Sequence, residues 1–436
     1  MNLVAAALLI GVYAAVLVHQ LTQRGPRVWI VFVVGGVASV LLGVLPVGQA
    51  EAALTGNAGV LLFLFGLFLM AADLEGAGAL DHLARWLLSK ARTARDIPLV
   101  LFLGFGLVSS VLVNDALVLL GVPLLFALAR RLGAPPKPLL MTLAFAVTVG
   151  SVLTPLGNPQ NLLVAETSGL AAPTAVFLRY LLIPTVVNLA VGAVLVRRWF
   201  GPAMAPFEAS FQAVRAERPP LFPPGPWGPR LRSHPALGIF PAAVLALVTA
   251  DLIADLTGHP TVPVVGIVLA GALGVLLLAP RRVALLRRID WSVLALFAGL
   301  FVVVGGAVQG GVLAAVQSRL PIPSAASHST ATVPLIALTG AGGSQLVSNV
   351  PWTALEIPIF HHLGYGGTTP LAWVALAGAT TLAGNLTLLG AASNLIVAEE
   401  AERRGTHLGL REFTRYGVPL ALLTLLVLVT SLLVGL

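Results

Sequence analysis

Thr154-Pro-Leu-Gly-Asn-Pro-Gln-Asn-Leu-Leu-Val-Ala-Glu166 returns as Thr387-Leu-Leu-Gly-Ala-Ala-Ser-Asn-Leu-Ile-Val-Ala-Glu399, identical at eight of thirteen positions and displaced by 233 residues. Two more anchors share nearly that offset. Asn114 and Pro123 match Asn349 and Pro358 at 235 residues, and Arg179-Tyr180 matches Arg415-Tyr416 at 236. An ancient duplication explains three such anchors better than coincidence. The repeated stretches are polar and glycine-bearing, yet each lies in an apolar run, 138–168 and 370–402. A polar interruption at the same place in both copies reads as a pair of broken membrane helices, with the binding groups at the breaks.

Composition agrees with a membrane setting. Of 436 residues, 58% are hydrophobic and 10% charged, against about 25% charged in an ordinary soluble domain. Apolar runs near 3–18, 27–46, 57–73, 173–196, 237–255, 262–279, 291–312 and 414–435 add further crossings, each near the roughly 17–25 residues that span a bilayer. The first run has no positive residue before it, so it reads as a retained helix and not a cleaved signal. The stretches 97–131 and 333–361 are apolar but interrupted at Asn114-Asp115 and Ser348-Asn349. Their arms are too short to cross singly, which predicts re-entrant hairpins lying beside protein or a water-filled cavity.

The fold class expected is therefore an all-α polytopic membrane protein of two inverted repeats. Each repeat has five transmembrane helices, a re-entrant hairpin and a broken helix. The first occupies 1–199 and the second 237–436, joined by a Pro- and Arg-rich cytoplasmic linker at 200–236 that contains Pro219-Pro220, Pro223-Pro224 and Pro226. With both termini outside, 23 of the 25 Lys and Arg residues fall inside, Arg24 and Arg85 among them, leaving Arg179 and Arg319 as exceptions. That satisfies the positive-inside bias of a bacterial-type inner membrane, so the net charge of +8 reads as topology and no nucleic-acid partner is expected. The segment Asp81 to Arg92 reads as an interfacial amphipathic helix.

The groups expected to line the first break are Thr154, Gly157, Asn158 and Asn161; those of the second are Thr387, Gly390, Ser393 and Asn394. The hairpin tips bring Asn114, Asp115, Ser348 and Asn349 against them, with Thr353 close behind. Asp115 is a functional acid or a carboxylate held by hairpin amides, and Glu356 is a coupling acid or a hydrogen-bonded structural one; an intramembrane acid is functional by default. Glu166 and Glu399 read as helix-end groups, His361-His362 as part of an external mouth, and Asp251, Asp255 and His259 as a solvated acidic loop. No cysteine is present, which excludes thiolate chemistry. No nucleophile or metal cluster of an intramembrane enzyme is evident, so no enzyme, cofactor or resident metal is expected. Sodium near Asn114, Asp115 and Asn158, or a proton, is the expected coupling ion.

Val113-Asn114-Asp115-Ala116 with Pro123, Ser348-Asn349-Val350-Pro351-Trp352-Thr353, and Gly384-Asn-Leu-Thr387-Leu-Leu-Gly390-Ala-Ala-Ser393-Asn394 resemble the motifs of the ion transporter superfamily. The likeness is strongest to its arsenite permease and sodium/proton antiporter branch and spans nearly the whole chain. It implies two hairpins, two broken helices, a homodimer in the lipid bilayer and elevator-like movement. One departure stands out: Pro159 and Gln160 have no equivalents in the second break, so the two half-sites are chemically unequal. The function expected is secondary active transport of a small inorganic or organic oxyanion or oxyacid, coupled to protons or sodium, with arsenite-like export the leading case. A sodium/proton antiporter without an anion substrate is the alternative.

Overall fold

The computed structural model describes residues 2–22, 26–216, 227–257, 264–327 and 329–435. Arg24, the prolines at 219–226 and His259 lie outside the described residues, as does the side chain of Arg85. Among the described residues every regular element is a helix. The chain begins with α1 (Leu3–Thr22), α2 (Val28–Leu41), α3 (Val47–Gly56), α4 (Ala58–Gly76) and α5 (Ala79–Lys90). Next come α6 (Ile97–Ser109) and α7 (Asn114–Leu132), α8 (Lys137–Gly150) and α9 (Pro159–Thr167), and the long α10 (Pro173–Met204). Two short helices, α11 (Glu208–Ala216) and α12 (Trp227–Ser233), lead to α13 (Ala236–Thr257), α14 (Val264–Leu278), α15 (Arg282–Arg288), α16 (Trp291–Gln309) and α17 (Val312–Gln317). The chain closes with α18 (Thr332–Val347), α19 (Asn349–His362), α20 (Pro370–Ala383), α21 (Ala392–Glu402) and α22 (Leu410–Val434).

Five stretches, Ala58–Gly76, Pro173–Ala216, Ala236–Thr257, Trp291–Gln309 and Leu410–Val434, are long and apolar enough to cross a membrane. Helices satisfy their own backbone groups, which lipid requires. The shorter apolar helices meet end to end or side by side, as the interruptions in the sequence predict. Packing pairs α2 with α16 and α14 with α4, α6 with α8 and α18 with α20, while α10 lies along α22. Close approach is set by small residues: a Cβ on Gly150 of α8 would sit 1.8 Å from the Gly106 carbonyl oxygen of α6.

Three expectations change. The run 27–46 stops at Leu41, and the separate helix α3 follows Pro46, whose fixed φ suits the residue before a helix. The described part of the linker is helical and docked. Phe211 of α11 is fully buried, and Glu208 accepts the Ala94 N–H at 2.7 Å. Asp251 is no solvated loop residue. It is 4% exposed within α13 and accepts the Thr174 N–H at 2.5 Å, placing a carboxylate at the N-terminus of α10, where the helix dipole favours it. On α4, Asp73 accepts the Ala236 N–H at 2.9 Å and lies 3.1 Å from His234 Nδ1, which fixes where α13 begins.

Candidate functional site

The first break is closed by its own side chains. Asn158 caps α9, its oxygen accepting the Asn161 N–H at 2.8 Å, and Pro159 at the first helical position needs no hydrogen-bond acceptor. Opening the helix frees the carbonyls of Ser151, Val152 and Thr154. The Asn161 amide nitrogen gathers all three, at 2.9, 3.2 and 3.2 Å. That fixes the amide's orientation, so Asn161 Oδ1 accepts, and the Thr381 hydroxyl of α20 donates to it at 3.1 Å. With its proton spent, Thr381 Oγ1 receives Gln160 Nε2 at 3.0 Å and Asn158 Nδ2 at 3.2 Å. Gln160 Oε1 is left buried without a partner. Thr154 Oγ1 donates to the Ser110 carbonyl, and a Cβ on Gly157 would lie 2.2 Å from the Ser151 carbonyl oxygen, so only glycine fits there.

The second break is more open. Ala391 and Ser393 stand where the first break has Asn158 and Gln160, so no side chain caps α21. Asn394 Nδ2 donates to the Gly384 carbonyl at 2.7 Å, which orients the amide and leaves Oδ1 buried without a donor. Asn385 Oδ1 is unpaired as well. Thr387 donates to Gln345 Oε1 at 2.9 Å, and Gln345 Nε2 donates to the Ala383 carbonyl at 2.8 Å.

Both hairpin tips dock on these breaks by the same bond. The Asn114 N–H reaches the Gly157 carbonyl at 2.9 Å, and the Asn349 N–H reaches the Gly390 carbonyl at 3.2 Å. The arms then cross over: α7 packs on α21 and α19 on α9, with Asn114 Nδ2 3.5 Å from Ser393 Oγ. Thr353 donates to the Asn349 carbonyl at 2.8 Å and lies 3.3 Å from Thr380 Oγ1. Ser348, the junction of α18 and α19, has φ 72° and ψ 159°, a region essentially reserved for glycine at a cost of about 1–3 kcal/mol. All thirteen residues singled out in the tips and breaks therefore lie in four segments that the fold brings together. Thr381, Gln160, Gln345 and Asn385 are additions; Gln160 and Asn385 stand inside the quoted polar stretches, while Thr381 and Gln345 lie in neighbouring apolar helices. Asn158 uses both ends of its amide internally, and Asn114 Oδ1 accepts the Asp115 N–H at 2.9 Å; the oxygens left without a donor are those of Gln160, Asn385 and Asn394, with the Asp115 carboxylate nearby.

Two acids flank this assembly. Asp115, 6% exposed, lines a cavity of about 370 Å³ between α4 and α7, with Glu75, Arg288 and Asp290 at its edge. A cavity of about 200 Å³ occupies the equivalent place beside α16 and α19. Phe68, Ala71 and Ala72 of the first correspond to Phe301, Val304 and Gly305 of the second at the 233-residue spacing. The carboxylates do not carry over, since Glu75 becomes Val308, Asp290 is matched by Asn57, and Asp115, by the hairpin spacing of 235, becomes Val350. Glu356 of α19 is fully buried, with the Thr339 hydroxyl and the Trp352 indole as its polar neighbours but neither in good hydrogen-bond geometry. Glu166 and Glu399 are exposed near the ends of α9 and α21, and His361 and His362 are exposed at the end of α19. Among the described residues no group of three or more His, Asp or Glu is placed to hold a metal ion. No Lys or Arg lies in the tips or breaks.

Comparison with known proteins bears on this geometry. The CitMHS family, described as citrate transporter, matches residues 13–383. A Mycobacterium tuberculosis protein described as an uncharacterized transporter is 30% identical over 391 residues, 87% of this chain and 88% of its own length. The silicon efflux transporter LSI3 of Oryza sativa subsp. japonica is 26% identical over 414 residues, 85% of this chain and 84% of its own. The Alcanivorax borkumensis YdaH transporter, a solved structure described as having an unusual topology, shares the fold with a TM-score of 0.54 and 17% identity, covering 88% of this chain and 86% of that one.

Proposed function

The chain belongs to the CitMHS citrate transporter family, and from that premise we propose that it is a carrier of a small oxyacid or oxyanion, coupled to protons or sodium. It is a multi-pass membrane transporter and not an enzyme. The observation that carries the substrate reading is the lining of the breaks. They present hydroxyls, amide dipoles and buried unpaired acceptors at Gln160, Asn385 and Asn394, with no cationic side chain. An unpaired buried acceptor costs about 1–3 kcal/mol, and a solute carrying O–H donors removes that cost. A neutral hydroxylated acid such as arsenous or silicic acid fits this lining directly, in line with the silicon efflux of the rice relative. A carboxylate anion such as citrate needs a co-bound cation, for which the Asp115 carboxylate and the unpaired amide oxygens of Asn385 and Asn394 are candidate ligands.

Coupling falls to Asp115 and Glu356. Glu356 has the Thr339 and Trp352 side chains beside it and no ion-pair partner among the described residues; its charged form is costly to bury, which suits an acid that exchanges a proton. Two inverted repeats, both termini outside, a homodimer and elevator-like movement of α6–α9 and α18–α21 complete the proposal. The equivalent tip-to-break bonds support the repeat. The alternative, sodium/proton antiport without an oxyacid substrate, draws on the same two acids.

Flux in proteoliposomes tests both. The panel comprises arsenous acid, silicic acid, citrate, phosphate and sulfate, with and without pH and sodium gradients, in parent, Asp115→Asn and Glu356→Gln proteins. The proposal expects oxyacid flux driven by one gradient in the parent and loss of that dependence in one variant. Unchanged pH and sodium dependence in both variants overturns the coupling role, and sodium-driven proton movement with no solute present favours the antiporter.

A further inference from the structure

A further cavity lies outside the transport site. About 660 Å³ in volume, it opens where α5 ends, α6 begins and α10 passes. Four cationic side chains surround it, Lys90, Arg92, Arg197 and Arg198, against one carboxylate, Asp96. Arg197 Nε donates to Asp96 Oδ1 at 2.7 Å, and Thr93 donates to Oδ2 through its N–H and hydroxyl at 3.0 and 2.9 Å. Asp96 is thus fully engaged in holding the Arg197 guanidinium in place, and Lys90, Arg92 and Arg198 have no carboxylate partner among the described residues. Partial burial works to raise the Asp96 carboxyl, but Arg197 and Thr93 outweigh it and hold it below the usual carboxylate range. Lys90 Nζ sits 4.9 Å over the Trp86 ring, an aromatic of the kind enriched at membrane interfaces.

The remaining wall is apolar. Leu99 and Val100 of α6 and Val194 of α10, which is 62% exposed, continue from the basic edge along the two helices. One turn of α10 therefore carries the surface from a cationic rim at Arg197 and Arg198 to an uncharged face at Val194. A soluble anion would use only the rim; the adjoining apolar face matches an acyl chain.

We propose that this cavity binds an anionic phospholipid, its headgroup phosphate among Arg92, Arg197, Arg198 and Lys90 and its acyl chain along Leu99, Val100 and Val194. Basic pockets between membrane helices on the cytoplasmic side take such headgroups, and four cations against one carboxylate give the charge complementarity. The lipid would join α5 to α6 and α10, of which α6 packs against both others.

The test uses the delipidated full chain in detergent. Its melting temperature and bound lipid are measured on adding phosphatidylglycerol or cardiolipin, phosphatidylcholine, or inorganic phosphate, for the parent and an Arg92→Gln, Arg198→Gln double variant. The expected result is a rise in melting temperature with anionic phospholipid alone. In the double variant the affinity falls about 25-fold, at roughly fivefold per charge removed, while the lipid-free melting temperature stays unchanged. An equal response to phosphatidylcholine, an equal response to inorganic phosphate, or full affinity in the double variant each overturns the proposal.

Discussion

Replacing Thr381 by valine keeps the shape of α20 and removes the hydroxyl by which that helix helps close the first break. Three amides converge on that oxygen, and they do not suffer equally. Asn158 Nδ2 retains the Ser151 carbonyl at 3.0 Å and the Ser151 hydroxyl at 3.1 Å. Asn161 Oδ1 loses its donor and Gln160 Nε2 loses its acceptor, both in fully buried residues. Two orphaned groups at about 1–3 kcal/mol each give a cost of about 2–6 kcal/mol. Hydrogen bonds measured inside membranes average about 0.6 kcal/mol, so the lower half of that range is expected. Thr381→Ser retains the hydroxyl and isolates its contribution from the methyl group's packing. The assay is the temperature at which detergent-solubilised protein loses its monodisperse elution peak after heating. Thr381→Val is expected to fall several degrees below the parent, with Thr381→Ser close to it. A Thr381→Val protein as heat-stable as the parent refutes the reading that this hydroxyl seals the break.

Gly157→Ala and Gly390→Ala separate the two breaks: the first places its Cβ 2.2 Å from backbone oxygen, the second 2.9 Å from the movable end of Gln345 and 3.0 Å from the Ala383 carbonyl oxygen. Gly157→Ala is expected to abolish flux and reduce the folded yield, while Gly390→Ala folds and loses flux only in part, as paired expression and flux measurements would show. Ser348→Gly removes about 1–3 kcal/mol of backbone strain and is expected to raise the melting temperature. For Asp96, whose carboxyl is held low by Arg197 and Thr93, the stability it adds is present above the usual aspartate value of about 4 and disappears as pH falls through the folded value. With the Arg197 side chain half exposed, that contribution is about 0–1 kcal/mol, and Asp96→Asn is expected to lack this part of the acid dependence of melting.

Much of the architecture was readable because polar residues inside apolar runs are conspicuous. Asn114, Ser348-Asn349 and both broken stretches mark the helix ends to within a few residues, and the missing Pro and Gln of the second copy correctly signalled unequal breaks. Thr381 was not readable, since its role arises from amides 220 and 221 residues away, and a threonine in an apolar helix carries no such signal. The prolines that marked 200–236 as a linker lie outside the described residues, and the sequence did not show that the start of this stretch continues α10 through Pro202 and docks α11 by Phe211. Asp251 looked solvated because it stands near Asp255 and the loop that follows, yet it faces the start of α10.

The most direct test of the transport site uses the absence of cysteine in this chain, which lets a single thiol report without background. Ser393→Cys places that thiol at the uncapped start of α21, 3.5 Å from Asn114 in the parent. In proteoliposomes, alkylation by a membrane-permeant maleimide is expected to stop flux, and saturating silicic acid, a solute that does not react with thiols, is expected to slow the alkylation. Alkylation that leaves flux intact, or whose rate ignores every solute the protein carries, contradicts a transport site at the paired breaks.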